Sequence, residues 1–153
     1  VGKAVVLGLL ERKGEFRTMV VGNTKRSTLQ SKVRTHVEPG AEVFTDALAS
    51  YQGLNTEYAH QVIDHAECYA KGKVHTNGLE NFWSMLKRSI KGTYVAVEPF
   101  HLFRYLDEQS FRYNRRKDSD SERFVRVLGA TNGRRLTYDD LTGEQADKQR
   151  CSA

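Results

Sequence analysis

The chain predicts an α/β fold whose sheet has mixed strand directions, and three observations carry that prediction. Two apolar runs, residues 4–10 and 16–21, flank the turn residues Arg12, Lys13 and Gly14, the pattern of an antiparallel hairpin. Short β-type runs then alternate with helical stretches, as in α/β sheets. Two later segments, "HTNGLENFWSMLKRSI" (75–90) and the stretch from Glu98-Pro99 to Asn114, repeat apolar residues at the helical period.

The elements follow in order. In "KAVVLGLLERKGEFRTMVVGN" a buried run, a tight turn and a return strand give the hairpin. Thr24 or Ser27 is the expected cap of a short helix, "STLQSKVRTHV", with Leu29 and Val33 four apart on one side. Pro39-Gly40 stops it. "AEVFTD" is a strand ending at Asp46, "ALASYQGL" a helical stretch closed by Gly53, and "YAHQVID" another short strand. A loop containing Gly72 and Gly78 leads to the helix of residues 75–90. There Leu79, Phe82, Trp83, Leu86 and Ile90 form the apolar stripe that faces a core. Pro99 is well placed in the first turn of the last long helix. Its Phe100, Phe103, Leu106, Ser110 and Tyr113 form the expected core-facing stripe. Residues 118–153, with Gly129 and "TNGRRLTYDDLTG", read as a loop-rich extension of a domain spanning 1–117.

Composition narrows the function classes. With 153 residues, 39% hydrophobic and 28% charged, the chain suits one globular domain with a real core rather than a disordered protein. No apolar run approaches the ~20 residues that cross a bilayer. The chain opens on Val without a signal-peptide pattern, which leads us to expect a fragment of a cytoplasmic protein. Cys68 and Cys151 match no metal or redox spacing. Zinc is not expected from His60, His65, His75, His101 and Cys68, whose spacings fit no closed tetrahedral pattern. The net charge of +5 is concentrated in residues 71–117, where ten Lys or Arg face four Asp or Glu. Such a block is either a solvated face or the footprint of a polyanion.

The polar residues of the 75–90 helix lie opposite its apolar stripe. Glu80, Ser84, Lys87 and Lys91 step by four, three and four, so one site could see both Glu80 and Lys87. An acid early and a cation late also suit the helix dipole, so ordinary decoration is the competing reading. Asp46 stands at the C-terminal end of a strand, where open α/β sheets place ligands. It equally suits the cap of the following helical stretch. As oxygen donors, Asp46 and Glu80 are the pair that could share a hard cation such as Mg²⁺.

"EVFTDALASYQGL", "HTNGLENFWSMLKRSIKGTY" and "HLFRYLDEQSFRYNRR", in this order, resemble the catalytic domain of bacterial insertion-sequence transposases of the ISXO-like group. The likeness runs from about residue 1 to 117, and "GRRLTYDDL" also matches the group's pattern. That group is similar to the wider DDE transposase and retroviral-integrase superfamily. The resemblance implies a ribonuclease-H-like mixed sheet flanked by helices, with the first strand missing here. It places Asp46 at the second acidic position, Glu80 at the third and Lys87 at the lysine seven residues on, with Asn77 a rival at the third site. It also puts His75 beside the site. The first catalytic Asp belongs on a strand preceding the hairpin, and no Asp occurs before Asp46.

The chemistry so implied is polynucleotidyl transfer with Mg²⁺ or Mn²⁺ held by Asp46 and Glu80. Lys87, Arg88 and Lys91 would contact DNA phosphates near the cut, and Arg112, Arg115, Arg116 and Lys117 the backbone beyond it. DNA, as terminal inverted repeats and target, is the implied partner, bound by a homo-oligomer. With one carboxylate absent, residues 1–153 alone are expected to be inactive. The alternatives are a non-catalytic DNA-binding remnant and a ribonuclease-H-like nuclease.

Overall fold

The computed structural model describes residues 3–63, 77–95 and 97–142. They fall into two compact units, divided between Tyr113 and Asn114.

In the first unit the hairpin is present as expected. Strand β1 (Val5–Leu10) pairs antiparallel with β2 (Phe16–Val21), in a register that sets Val5 opposite Val21 and Leu10 opposite Phe16. Side chains alternate between the faces of a strand, so this hairpin has two apolar faces. Leu7 and Val21 pack with Leu29 of helix α1 (Arg26–His36). On the other face Val6, Leu10 and Phe16 pack with Phe82 and Leu86 of α2 (Asn77–Ser89) and with Leu106 and Tyr113 of α3 (Leu102–Asn114). Thr18 joins the same face through a 3.0 Å hydroxyl–hydroxyl bond to Ser110 of α3. The hairpin is therefore a layer between α1 and the α2–α3 pair.

Strand β3 (Glu42–Asp46) pairs parallel with β4 (Ala59–Ile63) to form a second two-stranded ladder. The connection between them holds two short 3₁₀ turns, Ala49–Tyr51 and Leu54–Thr56, where the sequence reads as one helical stretch. Gly53 separates the turns at φ 92°, a left-handed conformation that suits glycine. Val33 of α1 and Val37, its C-cap residue, pack with Val43, Leu54 and Tyr58. One helix therefore covers a face of both ladders.

Several elements differ from expectation. Neither Thr24 nor Ser27 caps α1: Lys25 is the N-cap and supplies no side-chain bond. Gly78 lies in the first turn of α2 rather than in a loop. A Cβ there would stand 2.5 Å from Leu10 Cδ2, so the missing side chain lets α2 approach β1 closely. Residues Ile90–Tyr94 form a π turn that ends α2 one residue before Ile90. A 3₁₀ turn, Pro99–His101, precedes α3. Leu106, Ser110 and Tyr113 are buried as expected, but Phe100 and Phe103 are exposed.

The second unit is not loop-rich among its described residues. It holds helix α4 (Asp120–Thr131), with Gly129 inside it, and the short α5 (Tyr138–Thr142). Ser119 opens α4 with a reciprocal capping box: its hydroxyl accepts the Glu122 N–H, and Glu122 accepts the Ser119 N–H at 2.7 Å. The Ser119 hydroxyl also donates to the Glu122 carboxylate at 2.7 Å, and this bond together with that from the Ser119 N–H holds the carboxyl below its ordinary pKa.

Gly8 has a specific role in the layering. A Cβ at this position would come within 2.6 Å of Trp83 Cζ2 and 3.0 Å of Phe16 Cζ. Gly8→Ala should therefore push α2 from β1 and lower stability by about 1–3 kcal/mol, as overpacking does. Chemical denaturation measures the loss, and the emission of Trp83, the single tryptophan of the chain, should shift with it.

Candidate functional site

A slot of about 420 Å³ opens between the two ladders of the first unit. Residues 5–9 of β1 form one wall and residues 43–46 of β3 the other. Leu29, Val33 and Tyr51 line it from the α1 side, and Leu79 and Trp83 from α2. Its polar lining includes Thr24, Asp46 and Glu80. The two acids singled out in the sequence, with 33 residues between them in the chain, thus border one cavity.

The fold explains how each arrives. Asp46 is the last residue of β3 and is exposed. Its Oδ1 accepts the Leu48 N–H at 3.3 Å, a local turn contact two residues on. It does not cap a helix: the 3₁₀ turn that follows has Leu48 as its N-cap, with no side-chain bond. Glu80 lies in the first turn of α2 and is exposed, between the half-buried Leu79 and the buried Phe82, which fix the helix on the hairpin. Tyr51 is a slot residue that sequence reasoning passed over. Burial, and to a smaller extent the Asp46 charge, pushes its phenol above the ordinary range. Trp83 lines the slot too, whereas the sequence marks it only as core. The one available signal was Gly8, a glycine inside an apolar strand.

The predicted cations are spread more widely. Lys87 and Arg88 occupy the last turn of α2 and Lys91 the π turn, all three exposed and none lining the slot. From Glu80 to Lys87 the helix rises about 10 Å. Arg112, on α3, forms an ion pair with Glu108 at 2.9 Å, and Glu108 also accepts the Tyr94 hydroxyl at 2.7 Å. That hydrogen bond raises the Tyr94 pKa. Arg115 and Arg116 belong to the second unit. Asn77 opens α2, and His75 lies outside the described residues. His60 contacts Thr45 Oγ1 at 2.8 Å, and burial lowers its pKa.

Chemically, the slot mouth offers two exposed carboxylates, hard oxygen donors of the kind Mg²⁺ takes one or two at a time, with water and phosphate oxygens completing its shell. No cluster of three or more His, Cys, Asp or Glu suited to a metal occurs among the described residues. The donor set fits a cation shared with a phosphate better than one enclosed by protein. No helix among these residues is long and apolar enough to cross a membrane.

The pattern of the ISXO2-like transposase domain matches residues 1–114. The chain belongs to this family. It is also 34% identical, over 103 residues, to an uncharacterized transposase-like protein of Haemophilus influenzae, a match covering 67% of this chain and 83% of that protein. No solved structure matches. Asp46, Glu80, Lys87, Arg88, Lys91 and Arg112 all fall inside the ISXO2-like transposase domain, and Arg115 and Arg116 follow just after it.

Proposed function

We propose that this ISXO2-like transposase domain carries out metal-dependent DNA strand cleavage and transfer at the ends of an insertion sequence, with Asp46 and Glu80 as its metal-holding carboxylates. The observation that carries the reading is that these two acids, from a strand end and a helix on different parts of the chain, line one slot. The antiparallel hairpin, the parallel pair and the helices on both hairpin faces support a ribonuclease-H-like arrangement.

Mg²⁺ or Mn²⁺ bound there would supply Lewis-acid stabilisation of charge on phosphate oxygens and activation of the attacking hydroxyl. The chain's own residues hold the donors in place. Asp46 is fixed by the β3–β4 ladder and its turn contact, and Glu80 by the burial of Phe82 and Leu86 in the same helix. Rigid supports of this kind suit an ion with strict coordination geometry. Two carboxylates are one fewer than the three expected of the superfamily, so residues 1–153 alone should show little strand transfer. Joined to a segment that carries the third, the domain should become active as a homo-oligomer on DNA. The deciding assay is Mg²⁺-dependent nicking and joining of terminal-repeat DNA with Asp46→Asn and Glu80→Gln.

Lys87, Arg88 and Lys91 form the proposed phosphate contacts. They stand together past the acid on one helix and its π turn, exposed. Lys87→Ala should weaken DNA binding about equally across sequences and reduce the slope of log affinity against log salt by about one. The thermal midpoint should stay unchanged, since an exposed lysine away from the core contributes within about 0.5 kcal/mol. A large stability loss with an unaltered salt slope would make the residue ordinary helix decoration.

A further inference from the structure

The second unit carries a surface that the candidate site does not use. Every residue of α4 except Arg123 is exposed. A lone helix of this length is marginal in water, and helices in proteins owe most of their stability to packing an apolar face. That face exists here. Phe124, Val125, Val127 and Leu128 fall within one arc of the helix, and each is between 48% and 67% exposed. The opposite side leans on the segment that leads into the helix. Arg123 donates to the Arg115 carbonyl at 3.4 Å, and Arg126 pairs with Asp118 at 3.0 Å. The polar side is thus tied to its own chain, and the apolar side is left open.

The charges flanking this face identify the partner it fits. Asp120 and Glu122 stand in the first turn of α4, and the Asp120 side chain is 97% exposed. Arg134 and Arg135 follow the helix and are exposed. A turn closed by the Arg134 N–H on the Thr131 carbonyl at 3.1 Å keeps Arg134 close to the helix end. The segment is therefore acidic at one end, apolar in the middle and basic at the other. Leu128 stands midway in the chain between Glu122 and Arg134. A two-fold axis beside Leu128 lays a second copy antiparallel, which sets each acidic end on a basic end and brings the two apolar arcs together. It also opposes the two helix dipoles. A parallel pairing would put acid against acid and base against base. One patch that complements itself is the isologous contact of two-fold dimers.

We propose that α4 is a self-association surface on which two copies of this chain pair antiparallel about Leu128, with Asp120 and Glu122 facing the partner's Arg134 and the partner's Arg135. This gives the homo-oligomer proposed above an interface and rests on none of the metal-site reasoning. Two short helices make a small interface, so association should fall at about 10–100 µM, with the chain monomeric at about 1 µM. Unfolding followed at the lower concentration is then insensitive to the exposed side chains of α4.

The test is sedimentation equilibrium of the 153-residue chain from about 1 to 100 µM, without DNA or divalent metal. The chain should pass from monomer to dimer, and raising NaCl from about 0.05 to 0.5 M should weaken the pairing by screening its charged ends. Leu128→Glu should stay monomeric throughout. Arg134→Glu with Arg135→Glu should raise the dissociation constant about tenfold or more. Adding Asp120→Lys and Ser121→Lys to that same chain should recover most of the loss, because the two ends complement each other again with their signs exchanged. Unchanged Trp83 emission certifies the first unit in every variant.

A chain that remains monomeric at 100 µM would overturn the proposal and leave the face to another part of the protein or to a foreign partner. Dimers that Leu128→Glu leaves intact would overturn it as well. So would an arginine exchange without effect, or one that the added lysines fail to recover, since only the antiparallel pairing predicts both. No step of this test involves strand cleavage, so the dimer can form in a chain that fails every cleavage assay, and fail to form in one that passes.

Discussion

Asp46→Asn and Glu80→Gln, each made in a protein that joins this domain to the third carboxylate, should lower Mg²⁺-dependent strand cleavage about a thousandfold or more. Each substitution keeps the size of the side chain and removes the charge proposed to hold the ion. Metal stabilisation of a phosphoryl transition state is worth several kcal/mol, and about 4 kcal/mol is a factor of roughly a thousand in rate. Folding should hardly change. Both positions are exposed, and the asparagine oxygen can still accept the Leu48 N–H that Asp46 Oδ1 accepts. Exposed sites of this kind usually move stability by less than about 0.5 kcal/mol. Rate and thermal midpoint measured on the same preparations separate the two effects. Full cleavage by either variant, with Mg²⁺ still required, would remove that residue from the site.

What the sequence made legible was periodic and local. Helix α2 is read correctly because Leu79, Phe82, Trp83 and Leu86 keep the 3.6-residue phase, and all of them join the core. The same rule fails at the start of α3. Pro99–His101 is a 3₁₀ turn with about three residues per turn, so the phase carried back from Leu106, Ser110 and Tyr113 is lost. Phe100, within that turn, consequently faces outward; Phe103, inside α3, is exposed as well, and the lost phase does not account for it. Helix α4 has a legible signal in Ser119 and Glu122, three residues apart, whereas Gly129 and the Asn132-Gly133 pair are the marks of a loop.

The candidate site divides in the same way. Asp46 stood out because it ends a β-type run, and Glu80 because it opposes an apolar stripe. The slot that joins them was not legible. Its walls come from residues 5–9 and 43–46, and nothing local to either strand states that both leave an edge open toward the other. Pairing of that kind is decided by tertiary packing, here by α1, which packs against both ladders through Leu29 and Val33. Tyr51 belongs to both of those clusters for the same reason.

The largest loss of stability should come from Phe82→Ala. Phe82 is 1% exposed, and its ring lies 3.8 Å from the Phe16 centroid, 5.3 Å from Trp83 and 5.5 Å from Tyr113. It therefore ties α2 to the hairpin and to α3 at a single point. Truncation removes the ring's burial and leaves a cavity whose walls belong to three elements and cannot all collapse, a change that costs about 3–5 kcal/mol. Domains of this size are stable by only about 5–15 kcal/mol. The urea midpoint should fall steeply, and the slot should loosen with it, because Leu79, Glu80 and Trp83 ride on the same helix. Phe124→Ala supplies the comparison. That ring is 67% exposed on α4, and its loss should cost less than about 0.5 kcal/mol. Equal effects from the two substitutions would mean that α2 does not pack on the hairpin through Phe82, and the geometry that brings Glu80 to Asp46 would lose its support.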